Sequence, residues 1–444
     1  MSSITTILKK VLAESQELLY PGDLIEREPK PDFSFAFGRV RKIYTVCGLR
    51  RIGKTYYLYQ LRKNLIDMGL PAEKTFYINM EDERIPKTTE VLTKLIPTIR
   101  EMFGSGEIFL FIDEIHYIPN WSSWARRIHD EKKAHLFISG STSKLSSENI
   151  PRELRGRSFT IRLFPLSFMD FLKFRSIKID LKLVEWSEEK QALVKNLVLE
   201  YIKYGGLPEI VLVPKYKKIQ LAQDYFRTII SRDIVEQFNV ENRLALEDLL
   251  KLLVNSKVFS ISKTYNVLKS LGHRIGKETV KRYIHYAKSI YFLDEVTIYS
   301  KTIKDQLMYP RKVYIADNIF ITALAIKTDF GRLLENLLYI ELKRRTYDNP
   351  LIRIHYWKNR TGAEVDFVVM LGTKPIKLIQ TCWDPSDVDV RKREINALIR
   401  AGSELGIHEG IIVTYDYDGE EKRNGFKIRY VPIWKILLNI TTLL

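Results

Sequence analysis

The stretch VRKIYTVCGLRRIGKT, residues 40–55, decides how the first third of the chain is read. Its first eight residues alternate and end apolar, as a strand does, and residues 55–68 carry the spacing of a helix. Between them, Gly48 and Gly53 bound a loop whose backbone N–H groups can turn inward around phosphate oxygens. The helix start after Gly53 adds the positive end of its dipole. In this GxxxxGKT pattern Lys54 reaches the β- and γ-phosphates of a nucleotide, and Thr55 gives a hydroxyl to Mg²⁺. ATP and Mg²⁺ are therefore the expected cofactors, with Gly48, Leu49, Arg50, Arg51, Ile52, Gly53, Lys54 and Thr55 as the binding loop.

A loop of this kind requires an acidic partner strand. EIFLFID, residues 107–113, is almost wholly apolar and ends in Asp113, placed to hold Mg²⁺ directly or through water. Glu114 follows and is expected to polarise the attacking water. Further strands are expected at 75–80, 134–139 and 158–163, with helices between them. Strands separated by helices imply a parallel three-layer α/β sheet. Asn79, at the end of the second strand, could hold Glu114 in an inactive pose, a glutamate switch, or serve as a turn residue. The fourth strand runs into Ser139-Gly140-Ser141-Thr142, where Ser141 is the favoured contact to the γ-phosphate or the water. Arg155 and Arg157, in LRGR, could act as fingers toward a neighbouring subunit, which implies a homo-oligomer, or form a solvated turn.

Composition bounds the rest. With 444 residues, 28% charged and 45% hydrophobic, the chain is expected to form two to four globular domains. No segment approaches the roughly 18 apolar residues of a membrane span, and the first fifteen residues read as an amphipathic helix, so a cytoplasmic location without membrane contact is expected. Two cysteines, Cys47 and Cys382, exclude a disulfide framework or a zinc cluster. A formal charge of +17 favours a polyanion, nucleic acid first.

GLRRIGKT, FLFIDEIHYIPNW, ISGSTSKL, LRGR and FPLSFMDFL together resemble the AAA+-type prokaryotic (archaeal-type) ATPases that carry an uncharacterised C-terminal region. Trp121 and Trp124 match that family's helix after the acidic strand. PRKVYIADN, GRLLENLLYIEL, GAEVDFVV and KLIQTCWDPSDVDVRKREINAL extend the resemblance over nearly the whole chain. It implies ATP binding and hydrolysis, a winged helix, and a terminal domain similar to restriction endonucleases. The expected fold class is thus α/β. A P-loop NTPase, AAA+-like parallel sheet with a helical lid (1–240) precedes a winged helix-turn-helix (241–305) and an α/β nuclease-like domain (306–444).

The middle module is legible from its own residues. Helices are expected at 246–254, 260–271 and 277–290, with Gly272 turning the chain and a wing beginning at 291. The third helix would enter a major groove led by Lys277, Thr279, Lys281 and Arg282. Residues 260–304 carry nine Lys/Arg against three acids. DNA is the expected partner, and protein docking the alternative.

Endonuclease-like folds need an acid on a strand, an acid two residues before a lysine on the next strand, and often a helical glutamate. Glu335 lies on the expected helix, and Glu364 and Asp366 on EVDFVV. On the next strand the acid-x-lysine position reads Gln380-Thr381-Cys382, and Lys377 falls on the opposite strand face from Gln380. The domain is read as an inactive scaffold that keeps Glu335, Glu364, Asp366 and Gln380 as a remnant. The first functional reading is an ATP-driven switch or motor acting on DNA. A signalling NTPase whose C-terminal half binds protein, and an ATP-regulated nuclease, are the alternatives.

Overall fold

The strands β1 (Ile43–Cys47), β2 (Thr75–Asn79), β3 (Phe109–Asp113), β4 (His135–Ser139) and β5 (Ser158–Arg162) pair in parallel in the order β2-β3-β4-β1-β5. A computed structural model of the chain describes residues 3–140 and 153–443. The three central strands, β1, β3 and β4, are buried along their whole length, which explains their unbroken apolar runs. The helix Lys54–Asp67 packs on them, and the helices Ile4–Glu17 and Thr89–Phe103 pack on each other beside β2. Arg62 is fully buried without an acid beside it. Its guanidinium donates to Thr75 Oγ1 and to the carbonyls of Ser15, Leu19 and Thr75, at 2.8 to 3.0 Å, so its N–H groups find partners. That fan of bonds fixes the N-terminal helix against the sheet.

The described residues fall into two compact units, Met1–Phe164 with Glu236–Phe238 and Ser289–Tyr291, and the rest of the chain. Residues 165–235, expected as a lid on the first domain, share the second unit, where helix Glu188–Tyr204 packs on helices Asn318–Leu324 and Phe330–Thr346. Helices Arg243–Val254, Ile261–Ser270 and Lys277–Ser289 accompany a three-stranded antiparallel sheet of β6 (Val258–Phe259), β7 (Leu293–Val296) and β8 (Arg311–Ile315), ordered β6-β8-β7. The boundary expected at 305 falls between β7 and β8, so residues beyond it complete the sheet that begins at Val258.

Next come helix Phe330–Thr346, the strands β9 (Ile352–Lys358), β10 (Glu364–Leu371) and β11 (Lys374–Cys382), helix Val388–Leu405, and β12 (Glu409–Thr414), β13 (Gly419–Arg423) and β14 (Phe426–Pro432). Their sheet has the order β13-β14-β12-β11-β10-β9. β9, β10 and β11 form an antiparallel meander, while β12 runs parallel to both β11 and β14. Leu378, Ile395, Leu398, Ile412, Phe426 and Ile428 are buried together in its core. No helix among the described residues is long and apolar enough to cross a membrane.

One close approach joins the end of helix Glu188–Tyr204 to the start of helix Asn318–Leu324. Helix Glu188–Tyr204 ends at Gly205, whose φ is +70°. The next N–H, on Gly206, donates to Asp317 Oδ2 at 2.7 Å, and Asp317 Oδ1 caps helix Asn318–Leu324 through the N–H of Ile319 at 2.9 Å. A Cβ on Gly205 would stand 1.6 Å from that Oδ1. Asp317 is buried and cannot retreat without releasing both N–H groups. Gly205→Ala is therefore expected to lower stability by about 2–4 kcal/mol, read from chemical denaturation of the full chain. An unchanged midpoint would contradict this packing.

Candidate functional site

β1 delivers the chain into the glycine-bounded loop. Gly48 has φ +149°, and a Cβ there would meet the carbonyl oxygen of Leu163 at 2.8 Å. Gly53 has φ +95° and stands as the left-handed residue from which helix Lys54–Asp67 starts. Lys54 is buried, its ammonium donating to the carbonyls of Gly48 and Leu49 at 3.2 and 3.1 Å. Arg27, which sequence reasoning passed over, is also buried and donates from Nη1 to the carbonyl of Ile52 at 2.6 Å, holding the loop from outside.

Asp113 ends β3 with its carboxylate buried among hydroxyls from three other elements. Thr55 Oγ1 donates to Oδ2 at 2.6 Å, Tyr77 from β2 donates to Oδ2 at 3.1 Å, and Ser139 from β4 donates to Oδ1. Burial pushes the Asp113 carboxyl up, and the charge of Glu114 beside it adds to this, against the lowering effect of the three hydroxyls. The adjacent hydroxyl and carboxylate oxygens of Thr55 and Asp113 are hard donors of the type Mg²⁺ takes.

Glu114 follows in the left-handed region, φ 49°, which turns its side chain away from the strand's alternation. Its N–H donates to Ser139 Oγ at 3.2 Å, and His116 Nδ1 lies 3.2 Å from its Oε2. Burial opposes the charge on Glu114. His116, Lys54 and Arg50 outweigh it and bring the carboxyl down to about 2. Glu114 is thus held as a carboxylate.

Asn79 pairs with Asp113 across β2 and β3, but its Oδ1 accepts from the N–H of Glu81 at 2.9 Å. The amide serves the turn after β2, and the neighbour observed beside Glu114 is His116. Ser141 lies outside the described residues. Ser139, two residues earlier, is the strand-end hydroxyl that touches Asp113, a position readable only once β4 is placed beside β3. Arg157 is bound within its own chain, Nε and Nη2 meeting the two Asp130 carboxylate oxygens at 2.7 and 2.9 Å. Arg155 sits at the turn with φ 48° and is exposed, without an ion pair among the described residues. Trp121 and Trp124 are buried on helix Trp121–Asp130.

In the second unit, helix Lys277–Ser289 buries Val280, Tyr283, Ile284 and Ala287 and exposes Lys277, Lys281 and Arg282, with Thr279 half-buried. Lys281 meets Glu278 at 2.7 Å.

The four C-terminal residues singled out above are brought together. Asp366 Oδ2 accepts from the N–H and the hydroxyl of Thr381 at 2.9 and 2.7 Å. Gln380 Oε1 accepts from the N–H of Asp366 at 2.8 Å, and its amide nitrogen donates to Glu394. These side chains replace ladder bonds where β10 and β11 begin to part. Glu335, Glu364 and Asp366 converge on a residue that sequence reasoning missed, Lys312 of β8. Its signal was weak, since one lysine in a chain of 71 basic residues is invisible without the topology. Among the described residues, no group of His, Cys, Asp and Glu is arranged to hold a metal ion. Cys382, at the position of the expected lysine, is pushed up to about 11 by burial and is a neutral thiol.

Residues 40–172 match the AAA domain family, while residues 195–329 and 330–436 match two domains of unknown function, DUF8612 and DUF4143. Among solved structures, the Walker-type ATPase PABY2304 of Pyrococcus abyssi is 14% identical with a TM-score of 0.42, over 72% of this chain and 95% of that one. An uncharacterized protein of Haemophilus influenzae is 25% identical over 88% of this chain and 94% of its own length. The uncharacterized protein MJ1544 of Methanocaldococcus jannaschii is 33% identical over 89% of this chain and 88% of its own. The chain, an AAA domain followed by two domains of unknown function, belongs to the family of MJ1544.

Proposed function

We propose that the chain binds ATP with Mg²⁺ and hydrolyses it, and that this cycle acts on DNA or is regulated by it. The observation that carries the first part is the contact of Thr55 with Asp113, 2.6 Å, at the mouth of the glycine-bounded loop. Thr55 and Asp113 would hold the metal, which screens the phosphate charge. Lys54 adds a second positive charge at the β- and γ-phosphates. Glu114, ionised and braced by Ser139 and His116, orients the attacking water. Lys54→Ala is expected to abolish tight ATP binding. Glu114→Gln is expected to keep binding and lose about 10²–10⁴ in turnover. Equal hydrolysis rates for Glu114→Gln and the wild type would remove Glu114 from this role.

Of the two candidate fingers, Arg155 is the better one, because Arg157 is held bidentate by Asp130 in its own chain. Arg155→Ala is expected to lower ATP turnover about 10³-fold without loss of nucleotide binding. Mixing it with Lys54→Ala protein is expected to restore part of the rate. Arg157→Ala is expected to reduce stability first. Concentration-independent activity in a protein that stays monomeric with ATP would rule out a finger.

For DNA, the support is the helix order and three-stranded sheet of residues 243–315, the arrangement of a winged helix, with Lys277, Lys281 and Arg282 on the exposed face of the third helix. Protein docking is the second reading. It is favoured by helix Ile303–Met308, which exposes Ile303, Leu307 and Met308, side chains better suited to a protein than to a phosphate backbone. The terminal unit, a helix, a three-strand meander, a helix and a parallel strand, supports the endonuclease-like scaffold, which we read as inactive. Duplex DNA is expected to bind with log K falling against log salt by about 0.9 per phosphate neutralised. Replacing both Lys281 and Arg282 with Ala should weaken binding and flatten that slope. Identical affinity and slope in the double variant would favour the docking reading.

A further inference from the structure

Lys312 is the second residue of β8, the central strand of its sheet, paired with Val258 of β6 on one side and Val296 of β7 on the other. Its side chain is 2% exposed. The ammonium donates to Glu335 Oε1 at 2.9 Å and to Asp366 Oδ1 at 2.6 Å, and Glu364 Oε1, 3.0 Å away, completes the group as an ion-pair partner. These acids come from separate places, the helix Phe330–Thr346 and the strand β10.

Each carboxylate is also braced elsewhere. The Tyr314 hydroxyl, two residues along β8 on the same face as Lys312, donates to Glu335 Oε1 at 2.9 Å. Lys358 donates to Glu364 Oε2 at 2.9 Å, and Thr381 holds Asp366 Oδ2. An ammonium needs one carboxylate to be paired. Carboxylate oxygens are the donors that a hard divalent cation takes, but with the ammonium among them these three are not arranged to hold one. The separations of 2.6 to 3.0 Å are those of hydrogen bonds from nitrogen, longer than the roughly 2.0–2.6 Å of Mg²⁺ or Ca²⁺.

We propose that the Lys312 ammonium is the built-in cation of this cluster, excluding a divalent ion from Glu335, Glu364 and Asp366 while it is in place and leaving a divalent-cation site when it is removed. Because Lys312 is anchored by backbone pairing on both sides, the ammonium cannot be exchanged as a bound ion can. The cluster then ties the three-stranded sheet to the C-terminal sheet instead of serving phosphodiester cleavage. This inference stands apart from the ATP and DNA readings.

The test uses the full chain without nucleotide, with Mn²⁺ as the probe. Bound Mn²⁺ is counted by loss of the free-ion paramagnetic resonance signal, and folding is followed by thermal melting. Wild type is expected to bind no Mn²⁺ that Asp366→Asn removes. Lys312→Met is expected to melt about 10 °C lower, to gain about one Mn²⁺ per chain, and to recover several degrees with millimolar Mn²⁺. Lys312→Met/Asp366→Asn should lose both the gain and the recovery. Should Lys312→Met fail to fold, the double variant, which removes one carboxylate charge with the ammonium, is expected to fold better. Mn²⁺ on wild type that depends on Asp366, a folded Lys312→Met that binds none, or a double variant no more stable than an unfolded single one would each overturn the proposal.

Discussion

A carboxylate buried at the end of an apolar strand must find its donors inside the fold, and at Asp113 this requirement organises the first unit. Its partners arrive from helix Lys54–Asp67, from β2 and from β4. Each element must therefore end at the same edge of the sheet as β3 does. The parallel register does this: Asn79 stands opposite Asp113, and β4 carries Ser139 to the same level. Tyr77 reaches the carboxylate with its ring stacked on Tyr59, centroids 4.3 Å apart. The start of the helix after the glycine-bounded loop and the acid that faces it are thus fixed by one set of short polar contacts in an otherwise apolar layer.

Two acidic centres among the described residues resolve the same electrostatic problem in different ways. At Asp113 three hydroxyls offset the cost of burial, and at Glu114 the neighbouring cations His116, Lys54 and Arg50 do so. At Glu335, Glu364 and Asp366, the cation is part of the protein, at the centre of the group. The first arrangement draws its partners from neutral hydroxyls and scattered cations, whereas the second gathers its acids on a single ammonium.

Much of this is legible in the sequence. The three central strands of the first sheet are legible because burial along their whole length demands apolar runs, and the loop because its two glycines stand where a side chain would strain the backbone or clash. Edges shifted by one to three residues, as at Val40, which is exposed while the strand begins at Ile43. The four C-terminal residues follow from the spacing that the family resemblance implies, and the fold gathers them. Lys312, His116, Tyr77 and Arg27 were not legible, because each acts through a partner distant in sequence and belongs to a residue type too common to stand out. The division at 305 failed for the same reason. β6 and β8 are 52 residues apart, and a turn signal says nothing of which strands will share a sheet.

Lys312 also has a meaning for how the second unit comes apart. If the three-stranded sheet opened alone, three acidic side chains, two of them buried, would be left facing one another without their cation. If the terminal sheet opened alone, a buried ammonium would be stranded. Each partial opening exposes the uncompensated half of one charge cluster, and such halves cost several kcal/mol. Partly open forms are thereby suppressed. These two sheets, which look like separable modules along the chain, should lose their structure in a single cooperative step.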